Sequence, residues 1–485
     1  MSLTDDTTTP RRVAIVTYYF PPLGGVGVQR VLKHATYLRR FGWQSVIFTP
    51  KNPAYEITDP DLANAVPPEL EVRRSFIFEP SRVYRWLAAV TGSRGGSHLG
   101  SSGSGKAGGT ATTGSATGRA DTPIRRGDDR LIRLWAMFGR LVFFPDEQVA
   151  WVPSAVRSVR TAARTRRFDA VLSSSPPITA HLVAGLARRS DVPWVADFRD
   201  PWIGNGFAPE LPWLHRQLTK RIERWIVRRA DLSLFATPSL RAAYALRYPD
   251  LSKRFVTLTN GYDRRDVPAP SEVTRPTAGT FRMIYAGSLY GEHELEIFLE
   301  GLRRFVERRP EFRPILRVEF LGWLSRSNRD IAERVSRSDL AGIVSFSGFH
   351  PREEALRRVA AADAGLLILC DEPGKGLVLP VKLFEYLGLD RPVLAVVPKG
   401  DVEDVLRVLD WGVVVRPDAD AIAQGIEQVL TMRPPGRSAD PDGRFDRVEL
   451  ARQLAILLDG VSERVGSDRA DTGPRDPNVR GPHHA

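Results

Sequence analysis

The feature that most constrains the fold is a regular alternation of short apolar segments with segments of helical periodicity. From Arg11 onward the sequence gives strand 13–18, a glycine-containing loop, helix 29–41 and strand 45–49. A strand, a helix and a second strand in this order are typical of a parallel sheet, because parallel neighbours require a long crossover connection. The alternation therefore predicts α/β domains.

The alternation occurs in two series along the chain. In the first series, further segments follow at 170–174, 181–187, 194–197, 232–236 and 256–259. In the second series, the strands fall at 281–286, 317–321, 343–347, 365–370 and 393–397. The Pro-rich segment 266–276 separates the two series and has no strand-like pattern. We therefore predict two doubly wound domains in tandem, at 11–265 and 277–435.

Four segments fall outside the alternating pattern, one of them an insert within the first domain. Residues 92–118 are nearly all Gly, Ser, Thr and Ala, a composition that predicts a disordered insert because it offers little apolar surface to bury. The ends of the chain, 1–10 and 466–485, are predicted to be disordered tails. Residues 445–458 have the pattern of an amphipathic helix that follows the second domain.

Composition limits the classes of protein that remain. No apolar run reaches the roughly 18 residues that a membrane-spanning helix needs, and the polar start of the chain does not resemble a signal peptide. These features predict a cytoplasmic protein. The single cysteine, Cys370, excludes an internal disulfide and a cysteine-based metal site.

The net charge of +12 indicates an anionic partner. Much of the excess lies in 125–167, which contains ten arginines and four acidic residues. Within it, segment 131–144 combines arginine with Trp135, Phe138, Phe143 and Phe144 at helical spacing. Such a helix either lies on an anionic membrane or packs its aromatic face on the core, and the pattern fits both interpretations.

The segment 376–395 carries the strongest indication of a binding site. After Pro380 it predicts a short helix with Lys382 and Glu385 three residues apart, and residues at that spacing share one face. An ammonium group suits phosphate oxygens, whereas a carboxylate suits the vicinal hydroxyls of a ribose. The pair is therefore a candidate nucleotide-sugar site, with a surface salt bridge as the alternative.

The loop after the first strand contains Gly24 and Gly25 and precedes a helix, so its backbone amides can approach an anion. A dinucleotide site is disfavoured at this loop. Gln29 and Arg30 replace the third glycine of the usual motif, and the second strand ends at Lys51 without an acidic residue for a ribose.

Charged side chains also cluster where a buried strand ends. Asp197, Arg199 and Asp200 follow the apolar strand 194–197, and ligands of open α/β sheets bind at the carboxyl ends of strands. We predict a catalytic role for the three residues, with a local Arg–Asp pair that fixes the turn as the alternative.

Other motifs are less specific. Gly287 and Ser288 follow the first strand of the second domain and offer amides and a hydroxyl to a phosphate. Asp418 and Asp420 are interpreted as capping residues at a helix start, not as metal ligands. No metalloprotease, P-loop or α/β-hydrolase motif occurs, and we predict no metal and no cofactor.

Taken in order, five motifs resemble those of the family 4 glycosyltransferases of GT-B fold. They are the Gly24-Gly25 loop, Asp-Phe-Arg-Asp-Pro-Trp at 197–202, Asn-Gly-Tyr-Asp at 260–263, Tyr-Ala-Gly-Ser-Leu at 285–289 and Pro-Val-Lys-Leu-Phe-Glu-Tyr-Leu at 380–387. The resemblance implies two Rossmann-like domains that face each other across a cleft, with a last helix that returns to the first domain. It also implies transfer of a sugar from a nucleotide-sugar donor with retention of configuration and without a metal.

The resemblance also implies roles for individual residues. Glu385 would bind the donor ribose, Lys382 and the Gly287-Ser288 loop the diphosphate, and residues 348–350, with Phe349 at their centre, would border the base. Gly24 and Gly25 would face the leaving phosphate and the acceptor. Two departures are present: Ser288, Glu292 and His293 occupy a region where many members carry Arg and Lys, and Leu377 replaces a Glu. Lys375 therefore becomes a second candidate for the phosphate charge.

Three functions remain open from the sequence. A glycosyltransferase acting on a glycan or lipid-linked acceptor, at the inner membrane face in cell-surface polysaccharide or glycolipid synthesis, is favoured by the ordered motifs. A sugar-nucleotide epimerase or a phosphorylase would share the fold. A basic nucleic-acid-binding protein is suggested by the charge alone, and no nucleic-acid-binding motif accompanies it.

Overall fold

The computed structural model describes residues 10–54, 58–79, 143–203, 213–274, 279–289, 292–369, 374–432 and 437–470. The predicted insert 92–118, nearly all of the predicted helix 131–144 and Cys370 lie outside these ranges, as do most of the two predicted tails. Phe143 and Phe144 are described, and neither is helical.

The first sheet contains seven parallel strands in the order β3-β2-β1-β4-β5-β6-β7. The strands are β1 Arg11–Thr17, β2 Trp43–Lys51, β3 Glu71–Phe76, β4 Ala170–Ser175, β5 Trp194–Phe198, β6 Leu232–Phe235 and β7 Phe255–Thr257. β4, β5 and β6 are buried along their whole length. Burial without alternation is expected for these strands, because a parallel sheet is covered by helices on both faces.

The helices of the first domain connect these strands. They are α1 Val26–Tyr37, α2 Pro60–Asn64, α3 Val152–Thr165, α4 Thr179–Ala187, α5 Trp213–Arg229 and α6 Pro238–Arg247. A 3₁₀ turn, Leu38–Phe41, extends α1. Because crossovers between parallel strands are right-handed, α3 to α6 cover the face opposite to α1.

The second sheet contains six parallel strands in the order β10-β9-β8-β11-β12-β13. They are β8 Phe281–Ala286, β9 Leu316–Leu321, β10 Val344–Gly348, β11 Ala364–Ile368, β12 Val393–Val396 and β13 Gly412–Val415. The helices are α7 Glu292–Arg308, α8 Arg326–Ser336, α9 Arg352–Ala361, α10 Val381–Gly388, α11 Asp401–Leu409 and α12 Ala419–Thr431. As predicted, Asp418 caps α12, with its carboxylate accepting from the amides of Asp420 and Ala421.

The last helix, α13 Arg447–Ala470, returns to the first domain. Its side chains Leu450, Leu454 and Leu458 are buried in the core of the first domain, and the helix packs along α1. Near its start, the amide of Tyr262 donates to the carbonyl of Phe445 at 3.0 Å. The chain therefore leaves the first domain and returns to it at the same place.

The structure differs from the sequence predictions at several boundaries. The predicted tail begins at 466, yet α13 continues to Ala470. Two strands, β3 and β13, were not predicted. β3 is a charged, half-exposed edge strand without an apolar run. β13 is an apolar run of only four residues, Gly412–Val415, and the sequence prediction passed over it. The domain boundaries at 265 and 277 stay predictions; all strands of the first sheet precede them and all strands of the second follow them.

Candidate functional site

The carboxyl ends of the strands of the two sheets face each other across a cleft. Thr237, just beyond β6, donates its hydroxyl to the carbonyl of Leu377 at 2.8 Å. Ser239, in the first turn of α6, donates its hydroxyl to Asp401, the first residue of α11, at 2.9 Å. These contacts join the domains along one side of the cleft, so loops from both sheets border the same space.

The glycine loop of the first domain lies at the end of β1. Gly25 has φ +92°, a backbone conformation that other residues adopt only with strain, and α1 begins at the next residue. In the first turn of α1, the amide of Val28 donates to the carbonyl of Gly25 at 3.2 Å, so an anion at this loop would meet the amides that precede Val28. The role of the loop in binding an anion stays a prediction.

Arg199 holds this loop against the neighbouring strand. Its guanidinium donates to the carbonyls of Ser175 and Pro176, each at 2.9 Å, and to the carbonyl of Gly27 in α1. It also lies over the ring of Tyr19, with 5.7 Å between the guanidinium carbon and the ring centroid. Since its donors are directed to backbone carbonyls, Arg199 fixes the geometry of the cleft floor.

Asp197 lies beneath the cleft floor with its carboxylate fully bonded. Arg30 donates to both oxygens at 2.8 and 3.0 Å, and Ser174 donates at 2.8 Å. Burial alone would raise the pKa of Asp197, but the Arg30 guanidinium and these hydrogen bonds hold the pKa below its usual value. The side chain is 3% exposed. This environment suits a positioning role for Asp197, whereas the neighbouring Asp200 is exposed.

Arg30 is a residue that the sequence analysis did not assign to the site. Besides Asp197, it donates to the carbonyls of Leu258 and Thr259 at 2.8 and 2.6 Å, and it is 1% exposed. It therefore connects α1, β5 and the segment after β7. A single arginine within a helix gives no indication of such partners, because all of them are distant in sequence.

In the second domain, Lys382 reaches the glycine turn after β8. Its ammonium lies 3.5 Å from the centroid of the Tyr285 ring. A Cβ atom added to Gly287 would lie 3.1 Å from the same ammonium. Lys382 and the Gly287-Ser288 turn thus come together as predicted. The amide of Gly287 itself donates to the carbonyl of Leu321 at 2.7 Å, so Ser288 provides the amide and the hydroxyl that lie beside this cation. A similarly close approach occurs at Gly322, where an added Cβ would lie 2.3 Å from the carbonyl oxygen of Gly287.

Glu385, one turn further along α10, is paired with Arg352 of α9. Arg352 also contacts Asp266 at 3.3 Å, and Asp266 contacts Lys33 of α1 at 3.0 Å. Burial lowers the pKa of Arg352, but Glu385 and Asp266 outweigh it and raise that pKa above its usual value. A chain of ion pairs thus links α1 of the first domain to Glu385. The sequence did not assign Arg352 a role, because its partners are set by the fold.

Two further candidates border the same region. The ring of Phe349 follows β10 and is 68% exposed, which leaves its face open for stacking. The imidazole of His350 instead lies 3.1 Å from the carbonyl of Ser347, consistent with a local structural role. Lys375 starts a 3₁₀ turn, Lys375–Leu377, whose last carbonyl accepts from Thr237, and its own side chain is not described.

The arrangement offers a cation and amides for a diphosphate, a carboxylate for ribose hydroxyls and an exposed aromatic ring for a base. Within the described residues, no group of three His, Cys, Asp or Glu side chains is placed to hold a metal ion.

The comparison with protein families points to the same class. Residues 107–261 match the family model of the glycosyl transferase 4-like domain, which is less than half of the chain. No curated protein matches the chain in sequence.

Solved structures match nearly the whole chain at low sequence identity. The Anabaena protein HepE in complex with UDP has a TM-score of 0.53 and 14% identity, covering 95% of this chain and 100% of that one. The sucrose-phosphate synthase of Thermosynechococcus elongatus has a TM-score of 0.52 and 16% identity, covering 95% and 99%. An E. coli protein bound with UDP-2-fluoro glucose has a TM-score of 0.53 and 13% identity, covering 96% and 100%.

Two Rossmann-like domains that face each other across a cleft, with a last helix that returns to the first, define the GT-B fold. The chain is a glycosyltransferase of this fold, and its first domain carries the match to the glycosyl transferase 4-like family. The predicted resemblance, fold class and enzyme class are confirmed.

Proposed function

We propose that the protein transfers a sugar from a nucleotide-sugar donor, held by the second domain, to a hydroxyl of a glycan or lipid-linked acceptor. The observation that carries the proposal is the placement of Lys382 and Glu385 on one helix, at the sheet edge that faces the glycine loop of the first domain. UDP-sugars are the first donors to test, because HepE is described in complex with UDP.

Each part of the donor meets a matching group. Glu385 accepts hydrogen bonds from the ribose hydroxyls, while its ion pair with Arg352 orients the carboxylate. Phe349 stacks on the base. Lys382, the amide and hydroxyl of Ser288 in the turn at Gly287, and Lys375 hold the diphosphate.

Bond cleavage leaves a nucleoside diphosphate with additional negative charge. A fixed cation and preorganised amides stabilise such charge most strongly where it develops. Lys382 from the second domain and the first turn of α1 behind Gly24 and Gly25 supply these groups, so the proposal needs no metal and no cofactor. Retention of configuration is the outcome that the family resemblance implies.

The acceptor enters from the first domain. Asp200 is the exposed carboxylate at the end of β5 that can orient or deprotonate an acceptor hydroxyl. Asp197 and Arg199 act on it indirectly, by fixing the strand end and the loop around it. We further propose a role in cell-surface polysaccharide or glycolipid synthesis in the cytoplasm, at the inner membrane face. The structure has no helix, among those described, that is long and apolar enough to span a membrane.

Saturation-transfer NMR with UDP-, GDP- and dTDP-sugars tests the proposal. Signals from the base, ribose and sugar of one donor are expected, and they should weaken in Glu385→Ala. No signal from any donor would contradict it. Epimerisation of the bound donor, or its cleavage by inorganic phosphate alone, would instead indicate the epimerase or phosphorylase that shares this fold.

A further inference from the structure

Three neighbouring helices of the first domain, α3, α4 and α5, form a layer whose exposed charges are all positive. The helices carry nine basic residues and one acid. All nine basic residues are exposed: Arg157, Arg160, Arg164, Arg216, Lys220, Arg221, Arg224, Arg228 and Arg229. We call this surface the basic helical face.

The one acid does not offset this charge. Glu223 of α5 is 0% exposed and turns inward, where it accepts from Tyr244 and Tyr248 and pairs with Arg247 at 2.6 Å. One of the nine exposed cations, Arg228, forms an ion pair within the described part of the chain. Its partner is Asp250 of the neighbouring 3₁₀ turn, at 3.5 Å. The surface field of the face is therefore positive.

The helices lie side by side, so the charges form one continuous surface. α3 packs along α4, and α4 packs along α5. Gly185 permits the second contact, because a Cβ atom there would lie 2.6 Å from the Trp225 ring of α5. Arg160 donates to the carbonyl of Leu186, the exposed leucine of α4, at 2.8 Å.

Apolar side chains are exposed at one end of this face. Trp213 and Leu214, in the first turn of α5, are 66% and 56% exposed. A tryptophan and a leucine at the end of a strongly basic helix are typical of a segment that lies on an anionic bilayer, with the cations at the headgroups and the apolar residues in the interface.

We propose that the basic helical face docks the protein on an anionic lipid bilayer. Charge complementarity selects an anionic partner, and the exposed Trp213 and Leu214 favour a bilayer over a nucleic acid, whose phosphates would engage the cations alone. The surface differs from the segment 131–144 and lies within described helices.

Docking through the basic helical face would also set the orientation of the cleft relative to the bilayer. α5 begins beyond the carboxyl end of β5, on the sheet edge that carries Asp200. A bilayer at the start of α5 would therefore lie near the mouth of the cleft, where a lipid-linked acceptor would enter. This orientation rests on the proposed function, whereas docking itself does not.

Vesicle co-sedimentation of the full-length protein tests docking without donor or acceptor. The vesicles contain phosphatidylcholine with or without phosphatidylglycerol, at low and high salt. The protein is expected to sediment with the anionic vesicles alone and to be released by salt. The variant Arg216→Gln/Lys220→Gln/Arg224→Gln should bind on the order of a hundredfold more weakly, because each basic residue near the surface contributes roughly a factor of five.

A matched control separates this face from net charge. Arg326→Gln/Arg329→Gln/Arg337→Gln removes the same charge from exposed positions of α8 and the residue after it in the second domain, and it should bind as the wild type does. Equal losses in both variants, equal binding of neutral vesicles, or unchanged binding in the α5 variant would overturn the proposal. The proposal would also be overturned if duplex DNA competed with the vesicles and if DNA binding were unchanged in Trp213→Ala. A soluble acceptor would contradict the lipid-linked acceptor and leave vesicle binding intact.

Discussion

His181 illustrates how a buried polar residue is accommodated beneath the cleft floor. Its ring nitrogens lie 2.7 Å from the hydroxyl of Ser173 and 2.9 Å from that of Ser175, on the strand that ends at the site. The pKa of His181 is lowered to about 3, mainly by burial, so the ring is neutral in the folded protein at neutral pH.

This neutrality predicts a pH-dependent stability. Below the usual histidine pKa of about 6.5 the unfolded chain takes up a proton that the folded protein excludes, so the free energy of unfolding falls as the pH falls toward 3. His181 should contribute a slope of about 1.4 kcal/mol per pH unit. Urea unfolding between pH 5 and 7.5 should show a shallower slope for His181→Gln than for the wild type. His34, whose pKa is also lowered, contributes to both proteins equally. Identical slopes would show that His181 does not titrate in this way.

Arg352 is expected to act on the donor through Glu385. Arg352→Ala leaves the carboxylates of Glu385 and Asp266 without this partner, and a charge-assisted hydrogen bond contributes roughly 1.5 to 3 kcal/mol. We expect calorimetric affinity for UDP to fall about tenfold or more. Arg357→Ala on the same helix, which removes exposed pairs with Glu353 and Glu354, should leave the affinity unchanged. An equal effect of both variants would mean that α9 as a whole was disturbed.

At the scale of elements, the turn after β8 depends on the absence of a side chain. Gly287 has φ +143°, and a Cβ there would press on the Lys382 ammonium. Gly287→Ala should therefore displace Lys382 and weaken UDP binding several-fold. Gly460→Ala, within α13 and with no atom near the added carbon, should leave binding unchanged and stabilise the helix by roughly 0.5–1 kcal/mol. Unaltered binding in Gly287→Ala would argue against a diphosphate at this turn.

The elements also show which parts of the structure could be read from the sequence. Central strands such as β5 and β8 were predicted closely, because buried parallel strands are short apolar runs. The charged edge strand β3 has no such run. Lys382 and Glu385 were recognised as candidates because a helix fixes their spacing. Arg30 and Arg352 were not, because the partners of Arg30 lie up to 230 positions away in the sequence and those of Arg352 up to 86.

At the scale of the whole molecule, the two domains share one structural element. α13 follows the second domain but contributes Leu454, 0% exposed, to the core of the first. Leu454→Ala should lower the free energy of unfolding by about 2–5 kcal/mol, because it leaves a cavity in that core. Ile456→Ala, on the exposed side of the same helix, should change it by less than about 0.5 kcal/mol. Equal losses would indicate that α13 is not seated in the first domain as described.

The chain of ion pairs from Lys33 through Asp266 and Arg352 to Glu385 is a further connection between the domains, in addition to α13 and to the contacts of Thr237 and Ser239. It ends at the carboxylate proposed to hold the ribose. Donor binding and the relative position of the domains are therefore expected to be linked through the same side chains, since a ligand that changes one partner of Arg352 changes the others.

The central claim is that Lys382 and Glu385 together hold a nucleotide-sugar donor, and isothermal titration calorimetry with UDP and a UDP-sugar tests it most directly. The wild type is expected to bind, and Lys382→Ala and Glu385→Ala should each weaken binding about tenfold or more, for the loss of roughly 1.5 to 3 kcal/mol. The surface controls Lys253→Ala and Glu463→Gln should bind as the wild type does. Unchanged affinity in both site variants, each shown to be folded by its thermal transition, would contradict the account.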